Sequence, residues 1–186
     1  MLSPSFVLIV VVGVLGFFVV TLYNRLVKLR QGVRQSWANI DTELRRRADL
    51  IPNLVETVKG YASHEKETLE NVIRARNAAI APASSVGQAA QNETALSGAL
   101  RQIFALSESY PELKADANFR QLQEELSQTE TRLAASRQSY NSRVGHYNTA
   151  IETVPSSLIA NSFGFKPEAF FEIEDPAVRD APVVRF

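Results

Sequence analysis

The 186-residue chain is 45% hydrophobic, carries 20 basic and 20 acidic residues, and contains no cysteine. Balanced charge supplies no global field for nucleic acid, and the missing thiols exclude a disulfide framework, a thiolate zinc site and a cysteine nucleophile. This length suits one domain with appendages better than two domains.

The first element is the charge-free run FVLIVVVGVLGFFVVTL, residues 6–22. As a helix it reaches roughly 25 Å, and Pro4, Ser5 and Tyr23 bring it toward the roughly 30 Å of a bilayer core. Ser3 is suited to cap that helix and Pro4 to occupy its first turn. No Lys or Arg precedes the run and no A-x-A site follows it, which favours an uncleaved span over a signal peptide. Phe6, Gly13, Gly16 and Leu22 thus mark a single transmembrane helix. Gly13 and Gly16, three apart, share a face that admits close packing without forming the four-residue dimer spacing.

Arg25, Lys28, Arg30 and Arg34 follow, with no acid before Asp41. The positive-inside rule puts the N-terminal stub outside and the remaining chain in the cytoplasm. These cations are topogenic first, and they also lie within reach of anionic headgroups.

Apolar positions then recur from Leu22 through Leu26, Leu29, Val33, Trp37, Ile40, Leu44, Ala48, Ile51, Val55 and Val58 to Ala62. The mean step is about 3.6 residues, the helical period. The stripe keeps its phase through Pro52, although proline cannot donate to the Ala48 carbonyl and costs about 3 kcal/mol in a helix interior. Burial of Ile51, Val55 and Val58, at roughly 1.5 to 3 kcal/mol each, can offset that cost. We therefore expect a continuous, kinked first helix ending near Gly60.

A second helix is expected from a Ser63 cap to Pro82, with Leu69, Val72, Ile73, Arg76 and Ile80 on one face. The small, polar stretch APASSVGQAAQN reads as a loop. A third helix is expected from Asn92 to Pro111, and a fourth, long one from Phe119 to Pro155. Two long and two short helices predict an all-α fold, in which the transmembrane helix continues into an elongated antiparallel four-helix bundle ordered up-down-up-down. The expected divisions are 1–23 for the stub and span, 24–154 for the cytoplasmic bundle, and 155–186 for an apolar tail. In that tail Leu158, Phe163, Phe165, Phe170 and Phe171 call for a partner, with docking on protein favoured over the membrane interface. Residues 180–186 are expected to add a short extended segment.

Three blocks carry a family resemblance: YNRLVKLRQGVRQSWANIDTELRRRADLIPNLVETVKGYASHE, then YPELKADANFRQLQEELSQTETRLAASRQSYNSRVGHYNTAIETVP, then FGFKPEAFF. Together, in this order from Tyr23 to Phe171, they resemble the LemA family. The resemblance implies a single N-terminal span, a short exposed N-terminus and a long helical bundle at the bacterial inner membrane. It implies no established catalytic activity. It also implies an association with membrane stress or membrane-protein quality control, sometimes beside a membrane metalloprotease.

The residues themselves offer little chemistry. HEKET at His64 lacks the second histidine of the zinc motif, Thr68 standing in its place. Tyr61 and Arg143 stand where a di-iron Glu-x-x-His pattern would need its glutamates. There is no Gly-rich phosphate loop and no nucleophile elbow. Catalytic, metal and cofactor residues are accordingly expected to be none.

The triplet Arg45, Arg46 and Arg47 fans across about 200° of helix and cannot converge on one phosphate. Asp41 with Arg45, Glu43 with Arg47, and Arg46 with Asp49 are spaced for ion pairs. A solvated, salt-bridged face beside Pro52 is the expectation, with Arg47 placed to bridge to another helix as the sharper alternative. The expected function is a non-enzymatic scaffold that contacts the bilayer and forms a homo-oligomer. The alternative is an adaptor that meets a membrane protease partner through the loop around Ser84 to Gln91.

Overall fold

The computed structural model describes residues 3–172. Its helices are α1 (Pro4–Tyr61), α2 (Lys66–Ile80), α3 (Val86–Ser107), α4 (Pro111–Ala115), α5 (Ala117–Glu152) and α6 (Ser156–Ser162). No strand occurs among the described residues, so the all-α expectation holds. The expected extended segment at residues 180–186 lies outside the described residues.

The chain forms two compact units, Met1–Ala38 with Gln138–Ala169, and Asn39–Arg137 with Phe170–Phe186. Helices α1 and α5 each contribute to both.

In the first unit, α1 opens as the sequence suggests: the amide of Phe6 donates to Ser3 Oγ at 3.3 Å, satisfying one of the free donors of a helix start. Every side chain at positions 8–21 is exposed. This apolar part of α1 is long enough to cross a membrane. Beyond it, Leu26, Val33 and Ser36 are buried, and α1 and α5 run antiparallel. The rings of Trp37 and Tyr140 lie 5.7 Å apart. Arg143 passes over Gly32, where a Cβ would sit 3.0 Å from its Nη1, so Gly32 is the gap that admits the guanidinium.

In the second unit one core draws Ile51, Leu54, Val58 and Ala62 from α1, Leu69 and Val72 from α2, and Leu96, Leu100 and Ile103 from α3. Leu113 from α4 and Phe119, Leu122 and Leu126 from α5 complete it. Three helix boundaries differ from expectation for local reasons. Lys66, not Ser63, begins α2, because Ala62 is buried and the Glu65 amide closes a turn on its carbonyl at 3.1 Å. The loop before α3 is shorter than composition suggests: Ser85 Oγ accepts from the Gln88 amide at 3.1 Å, and a capped helix replaces residues 86–91 of the expected loop. Asp116, whose Oδ1 accepts from the Phe119 amide at 2.8 Å, separates the unforeseen α4 from α5. On α2, Ile73 and Ile80 face outward, while Ala75 and Ala79 pack on the core.

Helix α1 passes through Pro52 without interruption. The carbonyl that Pro52 cannot serve is Ala48 O, and it accepts a hydrogen bond from Arg76 Nε of α2 at 3.0 Å. A tertiary donor thus replaces the missing helical one, which removes part of the cost that sequence reasoning assigned to the proline.

Candidate functional site

Residues 163–169 of the FGFKPEAFF block are where the first unit concentrates specific interactions. Gly164 takes φ +69°, a left-handed conformation that costs glycine little. It thereby separates two aromatic rings that both reach Tyr23: Phe163 at 4.9 Å and Phe165 at 5.8 Å. Phe165 is buried and lies under the Arg30 guanidinium, 4.8 Å from the ring centroid, a cation–π arrangement.

Among the described residues no strand lies beside the backbone that follows, yet its polar groups need partners. Side chains of α5 supply them. Tyr147 Oη donates to Lys166 O at 2.9 Å, and Tyr140 Oη donates to Ala169 O at 2.9 Å. Asn148 binds Glu168 twice, its Nδ2 donating to Glu168 O at 2.9 Å and its Oδ1 accepting from the Glu168 amide at 2.9 Å. Burial, with a smaller contribution from the Glu168 carboxylate, pushes the Tyr140 phenol up to about 12. Burial raises Tyr147 likewise. Both phenols remain donors at any physiological pH.

Around this dock the basic residues divide. Arg25, Lys28 and Arg34 are exposed, whereas Arg30 is half-buried against Phe165. Leu22 is half-buried, and Phe6, Leu158 and Phe163 are exposed. Gly13 and Gly16 have open space where a Cβ would project.

The second unit holds the arginine triplet. Arg45 pairs with Asp41 at 2.9 Å and Arg46 lies 3.6 Å from Glu43; Asp49 is exposed. The Glu43–Arg47 pairing expected from spacing is corrected. Arg47 turns inward, bonds Glu93 of α3 and pairs with Glu130 of α5 at 2.6 Å. Arg137 lies 3.8 Å from the other oxygen of Glu130. Only Arg45 and Arg46 form a solvated face; Arg47 is the helix bridge.

Glu93 is 1% exposed. Burial raises its pKa, opposed by Arg47, while Glu130 adds to the rise. Sequence reasoning missed Glu93 and Glu130. The available signal was an acid at a stripe position: Glu93 stands three before Leu96, on the face that continues through Leu100 and Ile103. Phe171 is buried in this unit, and Phe170 lines a groove of about 440 Å³ with Gly87, Ala90, Gln91, Thr94, Ala95 and Glu172. Among the described residues, no three His, Asp or Glu side chains gather as metal ligands.

Comparison with known proteins gives a consistent assignment. The profile of the LemA family matches residues 36–186. Magnetosome protein MamQ 2 of Paramagnetospirillum magneticum is 23% identical over 207 aligned positions, covering 97% of this chain and 75% of the relative. Magnetosome protein MamQ of Magnetospirillum gryphiswaldense is 23% identical, covering 90% and 71%. Protein LemA of Metamycoplasma hominis is 25% identical, covering 90% and 76%.

Proposed function

The chain belongs to the LemA family, and from that premise we propose that it is a non-enzymatic, membrane-anchored helical scaffold that assembles as a homo-oligomer at the bacterial inner membrane. The observation that carries this reading is α1 itself. One uninterrupted helix begins with a wholly exposed apolar segment and goes on to help build the buried core of the second unit. An apolar surface of that extent in water is unfavourable by roughly 25 cal/mol per Å², and a bilayer removes the penalty.

In this reading residues 1–23 are the stub and span, 24–154 the cytoplasmic bundle and 155–186 the tail. Arg25, Lys28, Arg30 and Arg34, with no acid before Asp41, support an outside N-terminus. The two long helices and two shorter ones that share the second unit's core support an antiparallel up-down-up-down bundle, with Pro52 bending its first helix. Open faces at Gly13 and Gly16 suit lateral association. Relatives that carry the magnetosome designation and the association with membrane stress that the family resemblance implies suit a role in organising membrane or answering membrane stress.

Full-length protein in native-lipid nanodiscs, crosslinked over a range of dilutions, tests the scaffold. Discrete multimers are expected, and a monomer at every dilution overturns it. The groove beside Gly87 to Ala95, with Phe170 at its edge, supports the second reading, an adaptor for a membrane protease or quality-control partner. A stoichiometric foreign protein co-purifying at native abundance favours that reading over self-assembly.

A further inference from the structure

The corner between α5 and α6 has its chemistry inside out. Helix α6 buries Ser156 and Ala160, one turn apart, and exposes Leu158 at 65%. A helix packed on protein in water does the reverse, turning its large apolar residues inward. The inversion is built in, because the Ser156 hydroxyl donates to Ala150 O at 2.6 Å and Thr153 O at 2.9 Å, fixing which face points out. Val154 before the helix is 80% exposed and Phe163 after it 58%. Three large apolar side chains thus crown one short corner of the first unit.

Its position along α1 is set by contacts within that unit. Phe163 packs on Tyr23, the residue that directly follows the apolar run, and Phe165 packs under Arg30. The antiparallel path of α5, with Tyr140 opposite Trp37 and Arg143 opposite Gly32, brings its C-terminal end to the same level. Arg25 and Lys28 are exposed there and line a shallow groove with Thr21, Asn24 and Leu29. The first unit as a whole contains six basic and two acidic residues. An apolar crown beside cations and a tyrosine at the end of an apolar helix is the composition of a membrane–water boundary.

We infer that Val154, Leu158 and Phe163 are seated in the interfacial layer of the bilayer, as a second membrane contact beside the span, with Arg25 and Lys28 meeting anionic phospholipid headgroups. The inference rests on the reading of residues 6–22 as the span, and it adds a docked wedge that fixes the height of the first unit on the lipid surface.

The chain's lack of cysteine permits single labels. Leu158→Cys, Val154→Cys, Val14→Cys and Ser142→Cys, each in the full chain, carry an environment-sensitive fluorophore in vesicles of phosphatidylcholine and phosphatidylglycerol in equal parts. Ser142 is exposed on α5, about 15 Å along the helix from Glu152, and serves as the water-side reference. Labels at 14, 158 and 154 are expected to emit to the blue and lose intensity with lipids brominated on the acyl chain, the latter two more strongly with shallow bromination. The label at 142 is expected to respond only to aqueous iodide.

Quenching at 14 but none at 154 and 158 overturns the interfacial contact while leaving the span intact. No lipid quenching at 14 removes the span and the contact with it. Labels at 154 and 158 shielded from both iodide and lipid show a second copy covering the corner, which also overturns the inference. Replacing phosphatidylglycerol by phosphatidylcholine is expected to weaken shallow quenching at 158, and an unchanged signal removes the headgroup part of the claim.

Discussion

The two units solve the same problem, keeping polar groups satisfied where helices pack, with opposite chemistry. The first unit uses neutral donors: two phenols and an amide on α5 hold the backbone of the tail. The second uses charge, with Arg47 between Glu93 and Glu130. The formal charges follow, six basic to two acidic residues in the first unit and fourteen to eighteen in the second. Surfaces differ too. The first unit leaves Val154 80% exposed, whereas no large apolar side chain described in the second exceeds the 43% of Phe170. The inferred lipid contact accounts for this contrast: an apolar corner beside cations suits a lipid boundary, and covered apolar residues suit water.

The largest expected effect separates the charged solution from the neutral one. Arg47→Met leaves Glu93 buried without its main counter-charge, a defect that costs about 3–5 kcal/mol. Chemical denaturation of the full chain in detergent is expected to show that loss. Arg47→Met combined with Glu93→Leu should recover most of it, since an apolar replacement of the pair has no charge to strand. If the double variant is as unstable as the single, the cost lies in packing and not in the stranded carboxylate.

Next in size is the tail. Tyr140→Phe and Tyr147→Phe each remove one donor and leave a carbonyl unserved, for about 1–3 kcal/mol apiece. The loss should be local, so hydrogen exchange is expected to accelerate at 165–169 while amides of α2 and α3 are unchanged. Acceleration spread over α2 and α3 would show that the two units do not hold their stability separately.

A smaller effect tests the repair at Pro52. Arg76→Gln should cost about 1 kcal/mol through the lost bond to Ala48 O. In a Pro52→Ala background residue 52 can itself serve Ala48 O, so the same substitution should cost less. The difference between the two costs is the coupling energy, and equal costs would mean that Arg76 acts elsewhere.

Much of this was legible in the sequence, for identifiable reasons. A twelve-position stripe at helical period carried α1 through Pro52, because hydrophobic phase outweighs one missing hydrogen bond. The apolar start of α1, long enough to cross a membrane, was legible because length and absence of charge are read directly from linear sequence. The Arg76 clasp, the Arg47 bridge and the phenol contacts were not. Each pairs residues far apart in the chain, 28 positions for Arg76 with Ala48 and 46 for Arg47 with Glu93, and period arguments describe one helix at a time. Spacing assigned Arg47 to Glu43 because the rule for neighbouring turns cannot see a carboxylate on α3. Leu158 was noticed as apolar, but its outward direction depends on Ser156 turning in to bond Ala150, which composition does not specify.

The smallest effect concerns acid. Burial raises the Glu93 carboxyl above its ordinary 4.5, with Arg47 opposing and Glu130 assisting. Ser97, which donates to Glu93 Oε1 at 3.2 Å, and Arg137 also oppose the rise. Between the ordinary and the raised value the folded chain binds a proton that the unfolded chain releases. Linkage then makes this group's contribution to stability fully present below 4.5 and progressively lost as pH climbs through the raised pKa. Glu93→Gln removes the titration while keeping size and an acceptor for Arg47. The difference in unfolding free energy between wild type and Glu93→Gln is therefore expected to shift in favour of wild type as pH falls from about 7 toward about 5. A difference that stays flat with pH would mean that Arg47 holds Glu93 ionised in the fold, and the second unit would then carry a fixed ion pair where a titrating one is expected.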